Sequence, residues 1–151
     1  MTLHPAPTQA SALPEALAAH VGYLGVVLGQ RSQAAFEEAI EALSLKPIHY
    51  DYLATLAELG AMSQRDLARV LEVDAARIVS LTDTLEEREL VTRTVDPSDR
   101  RRNLLALTKA GRTLFTRAQR IASRVEDDLL SPLNVDERAS LRRLLRKTLA
   151  L

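Results

Sequence analysis

The sequence predicts a mainly α-helical protein that carries one small β-hairpin. Apolar residues recur at helical spacing through most of the 151 residues. Two short runs of β-forming residues, 90–95 and 103–107, interrupt that pattern, and the Asp-Pro-Ser-Asp segment 96–99 between them has the composition of a turn. Two short amphipathic helices directly precede the hairpin, and longer helices flank the whole arrangement.

The composition is that of a single globular domain. A hydrophobic content of 46% with 26% charged residues is ordinary for such a chain. The absence of cysteine excludes disulfides, thiol redox chemistry and thiolate metal sites. No signal peptide and no run of 18 apolar residues is present, so the sequence predicts a cytoplasmic protein with no membrane partner. Aromatic residues make up only 3%, which argues against stacking platforms for single-stranded nucleic acid.

The N-terminal third divides into a flexible arm, 1–12, and a helical segment, 13–45. Three glycines, Gly22, Gly25 and Gly29, lie inside the helical pattern, where each costs up to about 1 kcal/mol relative to alanine. Either a second helix approaches closely at these positions or the helix bends near Gly29. The next helix starts at Pro47, which suits a first helical position, and ends at Gly60.

The two short helices that follow have the caps of a helix-turn-helix. Ser63 with Asp66 three residues later predicts the start of the first, and Asp74 predicts the start of the second. The second helix has one apolar face, formed by Ile78, Leu81, Thr82 and Leu85. Its other side is small and polar, which is how such a motif enters a major groove.

A strongly basic segment begins in the predicted hairpin. Eight basic residues and no acidic one occur between Arg100 and Arg124, although the formal net charge of the chain is zero. Three of them, Arg100, Arg101 and Arg102, follow the turn and are expected in the loop, where a basic hairpin can reach phosphates or a minor groove. A solvated helix face is the alternative reading of the remaining five.

The C-terminal part predicts two more helices. Thr108 caps a long one that stops near Ser131-Pro132, and Asn134 with Glu137 forms a capping box for the last. The last helix carries a stripe of leucines that no later segment can cover. That stripe either folds back on the first helix or pairs with a second copy of the chain.

The chain resembles the MarR family of transcriptional regulators over most of its length, because the flanking helices also have the order and lengths of that family. Asp99-Arg100-Arg101 followed by Leu107-Thr108-Lys109-Ala110-Gly111 is similar to the wing signature of that family, and 85–91 is similar to its recognition-helix exit. The resemblance implies a winged helix-turn-helix lobe at 47–107 with a wing at about 91–107. It also implies that the helices in 13–45 and 108–151 interlock across a two-fold axis in a homodimer.

Three departures from the family pattern affect these expectations. Glu89 and Glu72 stand where the family usually or often has glycine in left-handed conformations, so we expect helix ends of a different shape. Val79 and Ser80 stand where family members often carry Thr and Arg. The base preference of the family therefore cannot be carried over to this chain.

Candidate DNA contacts follow from the motif and from the resemblance. Arg77 is the best candidate for a base or phosphate contact, with an ion pair to Asp74 or Asp83 as the alternative, and Arg101 is the wing-tip residue implied by the family, held by Asp99 unless Asp99 is simply a turn residue. Asp83, Glu86 and Glu87 should point away from phosphates. The full candidate set is Ser63, Gln64, Arg65, Ala75, Ala76, Arg77, Ser80, Thr84, Asp99, Arg100, Arg101 and Arg102.

The resemblance also implies a small aromatic or phenolic effector bound between the dimer helices and the lobe. The candidate ligands are His20, Tyr23, Arg31, His49 and Tyr52. Hydrogen-bonded Tyr and His side chains in the core are the alternative. The three histidines lack metal-ligand spacing, and no nucleophile–base pair or phosphate-binding loop is present, so we expect no metal, cofactor or catalytic site.

The sequence is therefore interpreted as a homodimeric, double-stranded DNA-binding repressor that responds to a ligand. A winged-helix interaction module that no longer binds DNA is the alternative, motivated by Glu72, Glu89 and the zero net charge.

Overall fold

The structure is a computed structural model that describes residues 13–151, with the backbone alone at 100–102. Seven helices and three strands occur in this part of the chain. In order they are α1 (Glu15–Ala18), α2 (Val21–Ile40), α3 (Pro47–Leu59), β1 (Met62–Ser63), α4 (Gln64–Val70), α5 (Ala75–Glu87), β2 (Val91–Asp96), β3 (Asp99–Leu107), α6 (Lys109–Leu129) and α7 (Val135–Thr148). A single 3₁₀ turn, Glu41–Leu43, links α2 to α3. The predicted class, mainly α with a small hairpin, is confirmed; the predicted arm, 1–12, lies outside the described residues.

The core lies where α3, α4 and α5 pack on the three-stranded antiparallel sheet and on α6. The strand order is β1-β3-β2. The predicted apolar face of α5 is buried, and Ile78 and Leu85 are fully inaccessible to solvent. At the centre, the Tyr52 hydroxyl lies 2.8 Å from Oγ1 of Thr82, which donates to the Ile78 carbonyl at 2.7 Å. This hydrogen bond joins α3 to α5 inside an otherwise apolar core.

All four predicted side-chain helix caps are present. Ser63, Asp74, Thr108 and Asn134 each accept the backbone N–H of the residue three positions later, which satisfies one of the unpaired donors of a first helical turn. Asn134 and Glu137 form the expected reciprocal box, with distances of 2.8 and 3.0 Å. Local sequence therefore determines where these four helices begin.

The helical segment predicted over 13–45 is divided in the structure. The helix is interrupted at His20, whose extended backbone (φ −102°, ψ 111°) starts α2, and α2 then runs unbroken through Gly29. A Cβ atom at Gly22, Gly25 or Gly29 would have no other atom within 4 Å. Neither a bend nor a close approach within the described chain therefore explains these glycines.

The expectation of altered helix ends at Glu72 and Glu89 is also wrong. Both residues adopt the left-handed conformation that glycine favours, with φ of 54° and 56°. The turn after α4 and the exit from α5 therefore have the backbone shape that a glycine would give them. The two glutamates adopt this conformation although it is unfavourable for a residue with a Cβ atom.

Candidate nucleic-acid interface

The recognition helix α5 exposes the side predicted to face DNA. Burial of Ile78, Leu81, Thr82 and Leu85 fixes the rotation of the helix. The opposite side then leaves five candidate residues exposed, namely Ala75, Ala76, Arg77, Ser80 and Thr84. The Thr84 hydroxyl donates to the Ser80 carbonyl at 3.0 Å within the same helix.

Arg77 makes no ion pair with any described residue. Asp74, one of its two expected partners, accepts the Arg77 backbone N–H at 2.8 Å as the helix cap. Asp83, the other, pairs with Arg93 instead. The alternative reading of Arg77 as a surface ion-pair partner is thus contradicted, and its guanidinium remains exposed beside Ala76 and Ser80.

At the start of α4, Arg65 is the exposed one of the three candidates, Ser63, Gln64 and Arg65. The Ser63 hydroxyl accepts the Asp66 N–H at 3.2 Å and donates to the Asp66 carboxylate at 2.7 Å, so the expected hydroxyl contact to phosphate is already occupied within the chain. Gln64 is half-buried, and its Nε2 is buried without a hydrogen-bond partner among the described residues. Arg65 is exposed.

The wing hairpin is tighter than predicted and contains a bulge. Asp96 accepts the Ser98 N–H at 2.8 Å and its hydroxyl at 2.6 Å, so the turn is only Pro97-Ser98 and β3 begins at Asp99. Val95 lies opposite Asn103, whereas Asp96 lies opposite Asp99. Residues 100–102 therefore belong to β3, as an insertion in the ladder, and not to the loop where they were expected. The expected ion pair between Asp99 and Arg101 lies outside the described part of the structure, because the Arg101 side chain is not described.

Arg93 of β2 was not among the predicted site residues, although it binds the recognition helix directly. Its guanidinium pairs with Asp83 at 2.5 Å and also with Glu86, one turn further along α5. Glu86 and Asp83 precede Arg93 by seven and ten residues of sequence. These contacts therefore join the wing to the recognition helix. A β-strand Arg following an acidic helix end was the only sequence signal for this cluster.

Helix α6 continues the basic surface that begins in the wing. Lys109, Arg112, Arg117, Arg120 and Arg124 are all exposed, and none forms an ion pair with another described residue. On the helix they lie away from the buried residues Phe115 and Ala118. These five residues therefore form a solvated basic face of α6.

The five effector candidates do not form a common pocket in the described chain. His20, Tyr23 and Arg31 are exposed on and before α2, whereas Tyr52 is fully buried in the core. Nδ1 of His49 accepts the Lys46 N–H at 3.1 Å, and burial, followed by the charges of Arg88 and Lys46, lowers the pKa of His49. The alternative of hydrogen-bonded core residues is therefore correct for Tyr52 and fits His49.

A cavity of about 570 Å³ lies elsewhere, between α2, α3, α6 and α7. Its walls are mostly apolar, and Tyr50 packs edge-on against Phe36 with ring centroids 5.1 Å apart. The ionisable groups in the lining besides Tyr50 are both acidic, Asp51 and Glu126. Burial raises the pKa of Asp51. None of the five candidates lines this cavity.

No group of three or more His, Asp or Glu side chains is placed to hold a metal ion among the described residues. None of the described helices is both long and apolar enough to cross a membrane.

A short helix pair, an exposed recognition helix and an adjoining basic hairpin define a winged helix-turn-helix protein of the DNA-binding class. The family model that matches residues 45–102 is that of the MarR family. The chain is 33% identical over 127 residues to the HTH-type transcriptional repressor NicR of Pseudomonas putida, covering 84% of this chain and 80% of that protein. The chain thus belongs to the MarR family of transcriptional regulators.

Solved structures agree with this assignment. Bordetella bronchiseptica BpsR, whose DNA binding is regulated by 6-hydroxynicotinic acid, superposes with a TM-score of 0.71 at 31% identity, over 85% of this chain and 97% of that one. The C80S mutant of MarR from E. coli in complex with operator DNA superposes with a TM-score of 0.72 at 25% identity, over 85% and 93%.

Proposed function

We propose that this protein is a cytoplasmic, homodimeric repressor that binds a pseudo-palindromic operator in double-stranded DNA. The observation that carries the proposal is the orientation of α5, whose buried face leaves Ala76, Arg77 and Ser80 exposed. Ala can contact a thymine methyl group, while Ser and Arg can bond base edges or phosphates. The operator complex of E. coli MarR and the name of the NicR repressor support the same role.

The division of the chain follows from this proposal. Residues 47–107 form the DNA-binding lobe, and the helices within 13–45 and 108–151 form the dimerisation part. Large apolar side chains are exposed in both outer segments, for example Val21 at 84% and Leu149 at 65%. A two-fold dimer would cover them and would place two recognition helices about one helical turn of DNA apart.

The contacts are divided between base readout and affinity. Ala75, Ala76, Arg77, Ser80 and Thr84 read the major groove, while Arg65 and the wing segment Asp99 to Arg102 contact the sugar–phosphate backbone or the minor groove. Backbone contacts strengthen binding to every sequence, whereas base contacts distinguish one sequence from another. The proposal includes no catalysis, cofactor or metal.

A small aromatic or phenolic effector would bind in the cavity between α2, α3, α6 and α7, and not at the five residues first expected. Tyr50 and Phe36 offer aromatic contacts, and the carboxylates of Asp51 and Glu126 accept hydrogen bonds from a phenolic hydroxyl. The same carboxylates disfavour an anionic ligand. The regulation of BpsR by 6-hydroxynicotinic acid supports a ligand response in a relative. A coupling of about 1–3 kcal/mol would give the usual allosteric range.

Selection of bound duplexes from a random pool tests the proposal. Recovery of an inverted repeat is expected, and affinity for it should fall steeply as salt rises. On the recovered site, Arg101→Ala should weaken all duplexes alike, whereas Ser80→Ala should change preference at a few positions by about 1–3 kcal/mol. A protein that binds no duplex at low salt would instead support the interaction-module alternative, and equal effects of the two substitutions would contradict the division of contacts.

A further inference from the structure

The C-terminal half of the recognition helix carries an excess of acidic side chains. Asp83, Glu86 and Glu87 lie there without an intervening basic residue, and Asp83 and Glu87 are exposed. The helix macrodipole adds partial negative charge at the same end. Even when these side chains point away from the phosphates, an acidic helix end close to a duplex adds charge of the same sign, and like charges across an interface are unfavourable.

Arg93 pairs with two of these three carboxylates and offsets one of their two negative charges. One Nη atom pairs with Glu86 and the other with Asp83 at 2.5 Å, so a single planar guanidinium spans one turn of α5. The side chain of Arg93 is 28% exposed, and those of Asp83 and Glu86 are 54% and 37% exposed. An exposed pair of this kind contributes little to folding stability. Its larger consequence is the charge that α5 presents.

The same contacts fix the wing relative to the recognition helix. Arg93 lies on β2, and its partner across the ladder, Leu105, belongs to β3, the strand that carries residues 100–102. The guanidinium therefore connects the strand pair of the wing to the exposed side of α5. Both elements that are proposed to touch DNA are held by one side chain.

We propose that Arg93 is a positioning residue for DNA binding, which acts through Asp83 and Glu86 by offsetting part of their negative charge on the recognition helix. This inference rests on the proposed function, because it has meaning only if α5 and the wing bind a duplex. Arg93 differs from the predicted contacts in that its effect requires no bond between its own side chain and DNA.

Charge-neutralising variants test the inference on the full-length protein. Arg93→Gln should weaken duplex binding about tenfold at about 0.1 M salt, because two carboxylates become unpaired beside the phosphates. Asp83→Asn with Glu86→Gln in the same chain should restore most of that loss. The protein that carries Asp83→Asn and Glu86→Gln, with Arg93 intact, should bind duplex at least as tightly as the unsubstituted protein. Arg93→Lys, which lacks the planar guanidinium, should bind duplex with an affinity between those of Arg93→Gln and the unsubstituted protein.

Arg69→Gln is the matched control, because it removes one positive charge and one exposed ion pair, to Asp66, from the same lobe. It should change affinity less than twofold, because an exposed pair of this kind contributes little. Circular dichroism and the unfolding temperature of each variant check that the folded fractions are equal. The pair of carboxylate substitutions keeps the test decisive even if Arg93→Gln does not fold.

Two results would overturn the inference. The first is unchanged binding by folded Arg93→Gln protein, and the second is a loss that the carboxylate substitutions do not restore, since a direct phosphate contact by Arg93 would behave in that way. If the unsubstituted protein binds no duplex at all, the proposed function fails first, and that outcome is separate from both.

Discussion

Left-handed backbone conformation at a non-glycine residue is the clearest local cost in the molecule. Glu89 has φ 56° directly after α5, where its exposed side chain gains no contact that requires glutamate. Glu89→Gly should raise the free energy of unfolding by about 1 kcal/mol, because glycine adopts this conformation without Cβ strain. Urea denaturation measures the change. The matched substitution Glu87→Gly, inside the helix, should lower stability by a similar amount, and equal signs for the two would contradict this reading.

His49 links stability to pH. Its folded pKa lies below the ordinary histidine value of about 6.5, because burial and the charges of Arg88 and Lys46 disfavour the protonated form. The unfolded chain therefore binds the proton more readily, so the stabilisation from neutral His49 is present above about pH 6.5 and is lost as pH falls through the folded pKa. Protonation of Nδ1 also removes the acceptor for the Lys46 N–H.

His49→Gln keeps an acceptor at this helix position without the titration. Denaturation of both proteins between about pH 5 and about pH 8 should show a decline for the unsubstituted protein at the acidic end that the variant lacks. Because Asp51 and the other carboxylates are common to both chains, the difference isolates His49. Parallel stability curves would show that this side chain does not titrate as described.

The start of α6 shows how an element depends on a single small residue. Thr108 donates its hydroxyl to the Glu89 carbonyl at 2.6 Å and its N–H to the Leu90 carbonyl at 3.1 Å, which brings the helix against the exit of α5. A Cβ atom on Gly111 would lie 2.0 Å from the Leu90 oxygen. Thr108 and Gly111 of the Leu-Thr-Lys-Ala-Gly string are therefore required by packing, whatever the role of the string in the wing.

Gly111→Ala should destabilise the fold by about 1–3 kcal/mol, because backbone must move to admit the methyl group. This loss exceeds the gain of up to about 1 kcal/mol that alanine offers in a helix interior. Gln119→Ala, at an exposed position of α6, should stay within about 0.5 kcal/mol and serves as the control. Stabilisation by Gly111→Ala in thermal unfolding would refute the close approach.

The sequence predicted those features of the elements whose causes are local. Ser63, Asp74, Thr108 and Asn134 each cap a helix through a donor three residues away, and the buried face of α5 follows from spacing alone. Such features need no knowledge of tertiary structure. For the same reason the surface that α5 exposes was predicted correctly.

Features that depend on distant partners were not predictable in this way. Tyr52 was listed as an effector candidate because the sequence does not show its hydrogen-bond partner, Thr82, which lies 30 residues away. Arg93 was missed for the same reason, since its ion-pair partners belong to another element. The bulge at 100–102 depends on the Asp96 turn and on the register of the whole hairpin. The break at His20 has no evident local cause.

At the scale of the whole molecule, apolar exposure is concentrated at the two ends of the chain. Val21, Leu24 and Val26 of α2 are 84%, 42% and 54% exposed, and Leu144, Leu145 and Leu149 in and after α7 are 51%, 43% and 65% exposed. No residue of α7 is buried. Exposed leucines of this kind favour an interface with a second copy.

Dimerisation through these ends should be required for operator binding. Leu145→Asp with Leu149→Asp places two charges on one side of the C-terminal helix, so light scattering should show a monomer. Affinity for an inverted-repeat duplex should fall about 100-fold or more, because the second half-site no longer gains from the first.

Leu59→Asp with Val70→Asp, which charges two exposed apolar residues of the DNA-binding lobe (62% and 49%), is the control for association and should leave the dimer intact. A dimer that survives the leucine substitutions would mean that α7 is not the interface, whereas a monomer that still binds the inverted repeat with unchanged affinity would show that paired recognition helices are not needed.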